Sequence, residues 1–405
     1  MLTPNQVETI YRDEAYKAFL TELPTQAEEL ESQGFYDLFK ERKINGYSYF
    51  ETNVFGSYTD NTARNPAEPI NLGTMGQGYA YATAIRSEFS ERRTIADEYL
   101  QSTLKLGDYA ATQGAIMAEN YYQGYARYWS MLLALGGISA TTLAGAGNGA
   151  PGRHPIQRIF NHALKGEAGA IIAEVPNVDY GDPDGKPWFT FNGNNHVRSN
   201  GDTIADYAGK TLGFFNAGSS ASTGANMFLN ESNLANAILH MENDLPWGPN
   251  RLFYSAAVPD TLIVSGNLRS VAAQILNLNE YRMDTPNNNK NVMYKQSGVF
   301  KVKNLIVNRF LPDNCWYLAA KGKGVNLVRQ KGGSRSQGNA GPVEGSYVDV
   351  WFDMNTKAWV RDILCYWSHM FDSNMDICWY AGSTPTSLDS SYNPVAPTTA
   401  SLTNW

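Results

Sequence analysis

Hydrophobic residues recur along this chain at two different periods, and the switches between them predict its elements. From 77 to 90, Tyr79, Tyr81, Thr83, Ile85 and Phe89 alternate with Ala80, Ala82, Ala84, Arg86 and Glu88, the period of two that marks a strand with unlike faces. Residues 46–58 read as a second long strand, and the Pro/Asn/Gly-rich stretch between the two predicts the tip of a hairpin of about 45 residues. No charged residue occurs between Glu68 and Arg86. A hairpin of that length is marginal alone and needs a surface to lie on.

The period then changes. Over 108–135, Ala118, Tyr121, Tyr122, Tyr125, Trp129 and Leu132 recur every three to four positions, and Gly136-Gly137 ends the run, which predicts a helical rod about 40 Å long. Residues 6–43 read as one or two short polar helices. Their apolar set (Phe19, Leu20, Leu30, Phe35, Tyr36, Leu38, Phe39) is too sparse for a core of its own, so this arm is expected to pack on another surface. Thr261 to Val264 is a short β-rich run. Ser265 is placed to cap a helix with Leu268, Val271, Ala272, Ile275 and Leu278 on one face. Asn304 to Leu311 and Cys315 to Ala320 read as two strands joined by the turn Pro312-Asp313-Asn314, and further strands are expected at 347–353, 358–367 and 375–380. Loop-like stretches fall at 60–76, 143–155, 176–202, 284–297 and 331–346, and Ser383 to Trp405 resembles an extended Ser/Thr/Pro-rich tail. No repeat of fixed period is present.

Charge sharpens this picture. The chain has 405 residues, 43% of them hydrophobic and 18% charged, against roughly 25% charged in ordinary soluble proteins. Much of its surface must be neutral or covered by partners. The apolar stretches are far shorter than the ~20 residues of a membrane-spanning helix, and Met1 to Leu20 lacks the basic start and apolar run of a secretion signal. A net charge of −7 disfavours wrapping nucleic acid, which relies on Lys and Arg displacing counterions. The charges are segregated. Residues 1–44 carry nine acids against five bases, a balance of −4, while 286–335 carry ten bases against Asp313 alone, a balance of +9. Such opposite segments suit docking between copies of one chain, although two solvated faces would look the same.

Candidate chemistry is sparse. Five histidines show no HExxH arrangement, and Cys365 with His369 has no second pair at zinc-binding spacing. Gly209-Lys210-Thr211 ends like a phosphate loop, but Ile204 stands where the first glycine is needed. Asp182, Asp184 and Gly185 resemble part of a calcium loop whose twelfth position is Phe191 instead of a carboxylate. There is no GxSxG elbow. Three cysteines (Cys315, Cys365, Cys378) without a CxxC pair fit free thiols in a reducing compartment. Neither a cofactor nor a metal is expected, while a pair of carboxylates for glycoside chemistry stays open among the 39 acids, because the separation that matters there is spatial. The nine Trp and 24 Tyr suit a core or subunit interfaces better than a sugar-binding platform. The Gly-rich basic stretch Lys321 to Arg335 lacks the interleaved aromatics that base stacking requires.

The order of the elements resembles the major capsid protein of tailed double-stranded DNA viruses, with the α+β Hong Kong 97-type fold, over most of the chain. The local matches are Asp184-Gly185-Lys186-Pro187-Trp188-Phe189, then Val258-Pro259-Asp260-Thr261-Leu262-Ile263-Val264 with its following helix, then Leu311-Pro312-Asp313-Asn314-Cys315-Trp316-Tyr317-Leu318. The resemblance implies an N-terminal arm (1–44), an E-loop hairpin (45–93), a P-domain with its spine helix (94–224), an A-domain (225–342), P-domain return strands (343–384) and a C-terminal tail (385–405). It implies a shell subunit of the virion capsid, assembled in the host cytoplasm into hexamers and pentamers. The shell would enclose packaged double-stranded DNA without sequence-specific binding. Portal, scaffold and possibly decoration proteins would be partners, and no membrane would be involved. Arg64, Glu68, Tyr79, Tyr81 and Ile85 on the hairpin, with Lys321, Lys323, Arg329 and Lys331 in the basic segment, are the subunit-interface candidates.

Some members of the family join subunits by an isopeptide bond from an E-loop lysine to an asparagine. This sequence has no lysine between Lys43 and Lys105, so no such crosslink is expected. A chain that begins at Met1 also gives no sign of a large segment removed during maturation. An encapsulin-like compartment shell shares the implied fold and would enclose protein in place of DNA. A carbohydrate-binding protein built on the aromatic residues is the rival from another class.

Overall fold

The computed structural model describes residues 2–32, 38, 40–44, 48–56, 75–83, 86–87, 93–94, 99–149, 189–191, 217–218, 227–244, 258–277, 302–323, 325–330, 346–355, 358–371 and 378–398. Of the predicted loop-like stretches, 60–74, 150–155, 176–188, 192–202, 284–297 and 331–345 lie outside them. The described residues form an α+β structure of helices, one mixed and one largely antiparallel sheet, and a separate hairpin.

Two long helices lie side by side. Helix α1 (Pro4–Ser32) opens with proline at its first position, where the missing N–H is no loss, and the Thr3 amide donates to Gln6 Oε1 at 2.9 Å. Val7, Tyr11, Ala15 and Phe19 recur every four residues and are buried. The arm is therefore one helix of 29 residues and not one or two short ones, followed by strand β1 (Lys40–Ile44). The period-four stripe begins twelve residues before Phe19, the first apolar position of the sequence-based set, and it is what secures the helix to its neighbour. That neighbour, α2 (Thr103–Leu135), starts five residues ahead of the predicted rod because Ser102 caps it, accepting from the Lys105 amide at 3.2 Å. Ala118, Trp129 and Leu132 of the predicted stripe are buried. At Gly114 of α2 any Cβ would collide with the Ala15 carbonyl oxygen, so the two helices meet backbone to backbone there. Tyr99 stacks on Tyr109 at 4.3 Å between ring centres, and Tyr11 tilts against the same ring at 6.3 Å.

A short helix, α3 (Ala140–Gly149), occupies part of the stretch expected to be a loop at 143–155. Its composition of Ala, Gly and Thr reads as a linker, but Ser139 accepts from the Thr142 amide at 3.3 Å and Leu143 and Ala146 are buried. Tertiary packing overrides weak propensity here.

The main core surrounds a four-stranded sheet. Strand β6 (Thr261–Ser265) is its centre, parallel to β7 (Asn304–Asn308) and antiparallel to β8 (Trp316–Ala319), which pairs in turn with β12 (Trp379–Ser383). Every residue of β6, β8 and β12 is buried. Helix α4 (Glu231–Leu239) contributes Leu234, Ala237 and Ile238 to the same core, helix α5 (Arg269–Asn277) contributes Ala272, Ile275 and Leu276, and α2 contributes Trp129 and Leu133. Trp129 meets Trp379 with ring centres 6.1 Å apart. The strands expected on either side of Pro312-Asp313-Asn314 exist, but they do not pair with one another. The β6–α5–β7 crossover is a parallel unit, so β7 docks beside β6 and β8 returns on the other edge of β6. Asn314 makes the turn with φ 64°. The Ser265 side chain does not cap a helix; a 3-10 turn (Gly266–Leu268) intervenes, and the hydroxyl meets Asn267 Oδ1 at 2.7 Å.

The other sheet is organised by β11 (Ala358–Phe371), four residues longer than expected. It pairs with β10 (Ser346–Asp353), and successive stretches of it pair with β5 (Arg93–Thr94), β4 (Arg86–Ser87) and β9 (Val325–Gln330). Strand β1 adds to β9 in parallel. The predicted hairpin is present as β2 (Ser48–Gly56) and β3 (Met75–Thr83), in continuous antiparallel register from Ser48 opposite Thr83 to Gly56 opposite Met75.

The C-terminal stretch has the irregular backbone its composition predicts, but through 398 it is not a free tail. Thr384, Pro385 and Pro397 are buried, the Tyr317 hydroxyl meets Thr384 Oγ1 at 2.9 Å, and Asn314 Nδ2 donates to the Pro397 carbonyl at 3.4 Å. Gly137 touches Pro385 and Gly149 touches Tyr392, so glycines after α2 and in α3 leave room for the strap.

Candidate functional site

Among the described residues, the subunit-interface candidates fall in two places along the chain, the hairpin and the basic segment. Tyr79 and Tyr81 stand on β3 opposite Thr52 and Phe50 of β2. Arg64, Glu68 and Ile85 lie outside the described residues, as does Lys331. The second place is the turn that leaves β8, where Lys321 and Lys323 are both exposed.

That turn is rigid for reasons visible in its backbone. Gly322 sits at φ +69°, a left-handed conformation that glycine adopts without steric cost. The Lys321 amide donates to Asp260 Oδ1 at 3.0 Å and the Lys323 amide to the Ala320 carbonyl at 3.2 Å. Trp379 Nε1 donates to the Lys323 carbonyl at 2.9 Å. Two exposed ammonium groups are thus carried on a fixed support. Gly322 also donates to the Leu38 carbonyl at 3.1 Å, which ties the turn to the end of the N-terminal arm.

Arg329 follows on β9, opposite Lys43 of β1 on one edge and Trp367 of β11 on the other. The arm and the basic segment therefore meet within one chain. They do so through the basic end of the arm, with Lys43 in register with Arg329, so backbone hydrogen bonding and not charge attraction holds them together.

Sequence reasoning missed a third basic place. Arg127, on α2, and Arg309, after β7, both lie over the ring of Phe310, their guanidinium carbons 5.2 and 4.9 Å from its centre. A buried polar link brings them together. Ser130, one turn beyond Arg127, donates to the Ala126 carbonyl at 2.5 Å and accepts from Asn308 Nδ2 at 2.6 Å; Asn308 Oδ1 in turn accepts from the Phe310 amide at 3.0 Å. Ser130 and Asn308 are each 1% exposed. The only signal in the sequence was Arg309's membership of the basic segment; Arg127 is 182 positions away on an apolar helix.

Among the described residues, burial holds three titratable groups of the core in their neutral forms. Burial pushes the Cys315 thiol up to about 12, a hydrogen bond with Tyr317 working against this and the nearby Asp313 charge adding to it. Burial likewise raises Tyr317 and Tyr380. A thiol held protonated is a poor nucleophile and a poor metal ligand. Among the described residues no group of three His, Cys, Asp or Glu side chains is gathered as a metal would require, and no helix is long and apolar enough to cross a membrane.

No family model and no curated protein matches the sequence. Solved structures do. A capsid chain of a native GTA particle is 8% identical with a TM-score of 0.44, covering 86% of this chain and 89% of that one. A chain of Mycobacterium phage Patience is 9% identical with a TM-score of 0.43, covering 94% and 90%. A chain of the capsid of cyanophage A-1(L) is 13% identical with a TM-score of 0.41, covering 86% and 91%.

Proposed function

We propose that this chain is the major capsid protein of a tailed double-stranded DNA virus, with a Hong Kong 97-type fold, and that copies of it form the hexamers and pentamers of an icosahedral shell. The observation that carries the reading is the order of elements along one chain. An arm of helix and strand precedes an antiparallel hairpin, then a helix of 33 residues, then a mixed sheet with a βαβ unit, then long antiparallel strands. In this reading 1–44 is the N-arm, 45–93 the E-loop, 94–224 the P-domain around spine helix α2, 225–342 the A-domain, 343–384 the return strands and 385–405 the tail.

The physical character of the chain agrees with a passive container. Its buried titratable groups are silenced in place of being activated, and net negative charge keeps an inner wall from gripping DNA that must later leave. Portal and scaffold proteins would direct closure, and a decoration protein or interlocked arms and hairpins would supply the strength that other shells obtain from a lysine crosslink. Negative-stain electron microscopy of the purified chain, alone and with a candidate scaffold, tests the reading. Closed shells, tubes or hexameric plates are expected. A stable monomer under both conditions would overturn it.

A further inference from the structure

From the Arg127–Phe310–Arg309 cluster we infer that this patch is an anchor for a carboxylate-bearing segment of a second copy of the chain. The inference rests on the reading of the chain as a self-assembling subunit and adds where one of its contacts lies.

Two guanidinium groups share one aromatic ring, which brings like charges close together on an exposed surface. Among the described residues no carboxylate is paired with either of them. A solvated arginine ordinarily moves away from its like neighbour, since each cation–π contact at an exposed site is worth only about 0.5–1 kcal/mol. Here the fold places both arginines beside one ring. The Ser130–Asn308 hydrogen bond fixes α2 against the end of β7, and the Phe310 amide on Asn308 Oδ1 fixes the ring between the two elements. The result is an exposed, doubly positive site carried on backbone that the fold already holds in place. Guanidinium forks match carboxylates bidentately.

A second copy fits better than nucleic acid. Binding a phosphate backbone takes a stripe of many cations on a chain whose overall charge does not repel it, and this chain carries −7. The same chain offers carboxylates in quantity. Helix α1 alone has seven acids against two bases, with Glu28, Glu29 and Glu31 within four positions.

The test compares wild type with Arg127→Glu/Arg309→Glu and with the milder Arg127→Gln/Arg309→Gln. It uses sedimentation velocity for self-association, electron microscopy for shells and thermal melting for the fold, all in nucleic-acid-free buffer. Both variants should melt like wild type, and the reversed one should self-associate roughly tenfold more weakly or worse, the glutamine variant showing an intermediate loss. Shells formed equally well by wild type and both variants would overturn the anchor and leave the capsid reading standing. Self-association in wild type that yields no shells, tubes or hexameric plates and is lost in the variants would uphold the anchor and overturn the capsid reading. Variants that assemble normally but no longer retain a 20-base-pair DNA duplex would reassign the patch to phosphate and overturn the proposal.

Discussion

At Gly382 a side chain of any kind would run into the indole of Trp316, whose Nε1 donates to the Met227 carbonyl at 2.8 Å. The glycine sits where the β8–β12 register shifts between Ala381 and Ser383, so the ladder bulges at the residue the tryptophan needs to be bare. The sequence ends the last expected strand at 380, two residues before this glycine, whereas β12 runs from Trp379 to Ser383; the collision partner is 66 positions away and invisible to any local pattern. Cys315 shows the same limit. Its rarity was legible and its burial was not. Because the folded state raises the thiol from its ordinary 9.0 to about 12, folded protein keeps a proton that unfolded chain releases, so stability is full below about pH 9 and falls as pH rises from there towards 12. Urea unfolding at several pH values should show this fall, with a contribution from Cys315 of up to about 1.4 kcal/mol per pH unit. Cys315→Ala should shallow the slope between pH 9 and 10 while lowering stability at pH 7; an unchanged slope would remove Cys315 as its source.

Among the elements, the long helix and the strands were the most legible, because their periods are sustained and glycines mark the end of the helix. Helix α1 was half legible. Its stripe of Val7, Tyr11, Ala15 and Phe19 has clear spacing of four, but two of the four residues are small or polar-tipped and weigh little in a hydrophobicity scan. What makes the stripe work is the facing surface, where Gly114 lets the backbones touch. Gly114→Val should therefore force α1 away from α2. Amide exchange should rise across 4–32 while the β6–β8–β12 core stays protected, and global stability should drop by about 1–3 kcal/mol. Uniform exchange across both regions would mean that α1 is inseparable from the core. The pairing of β7 and β8 was not legible at all, since a turn between two strands fixes their connection and not which edge of β6 each occupies.

For the whole molecule, charge segregation was legible along the chain but is sharper in the fold. Seven of the arm's nine acids are on α1, whereas three of its five bases, Lys40, Arg42 and Lys43, belong with Glu41 to β1, which pairs with the strand of Arg329, β9; through Leu38 and Gly322 the end of the arm is also tied to the turn that carries Lys321 and Lys323. Folding thus adds the arm's own bases to the basic segment and leaves a separate acidic helix. A subunit with opposite charges on different elements can attract its copies while its net charge of −7 limits random aggregation. Charge reversal separates this role from one in folding. Lys321 and Lys323 are exposed and their turn is held by backbone hydrogen bonds, so Lys321→Glu/Lys323→Glu/Lys331→Glu should change stability by no more than about 1 kcal/mol. Assembly should fail or slow severely, and wild-type assembly should itself weaken as salt screens the contact. Particles of normal yield and shape from the triple variant at low salt would show that this basic turn faces solvent in the shell, and would leave the Arg127–Phe310–Arg309 patch as the positive surface that copies use.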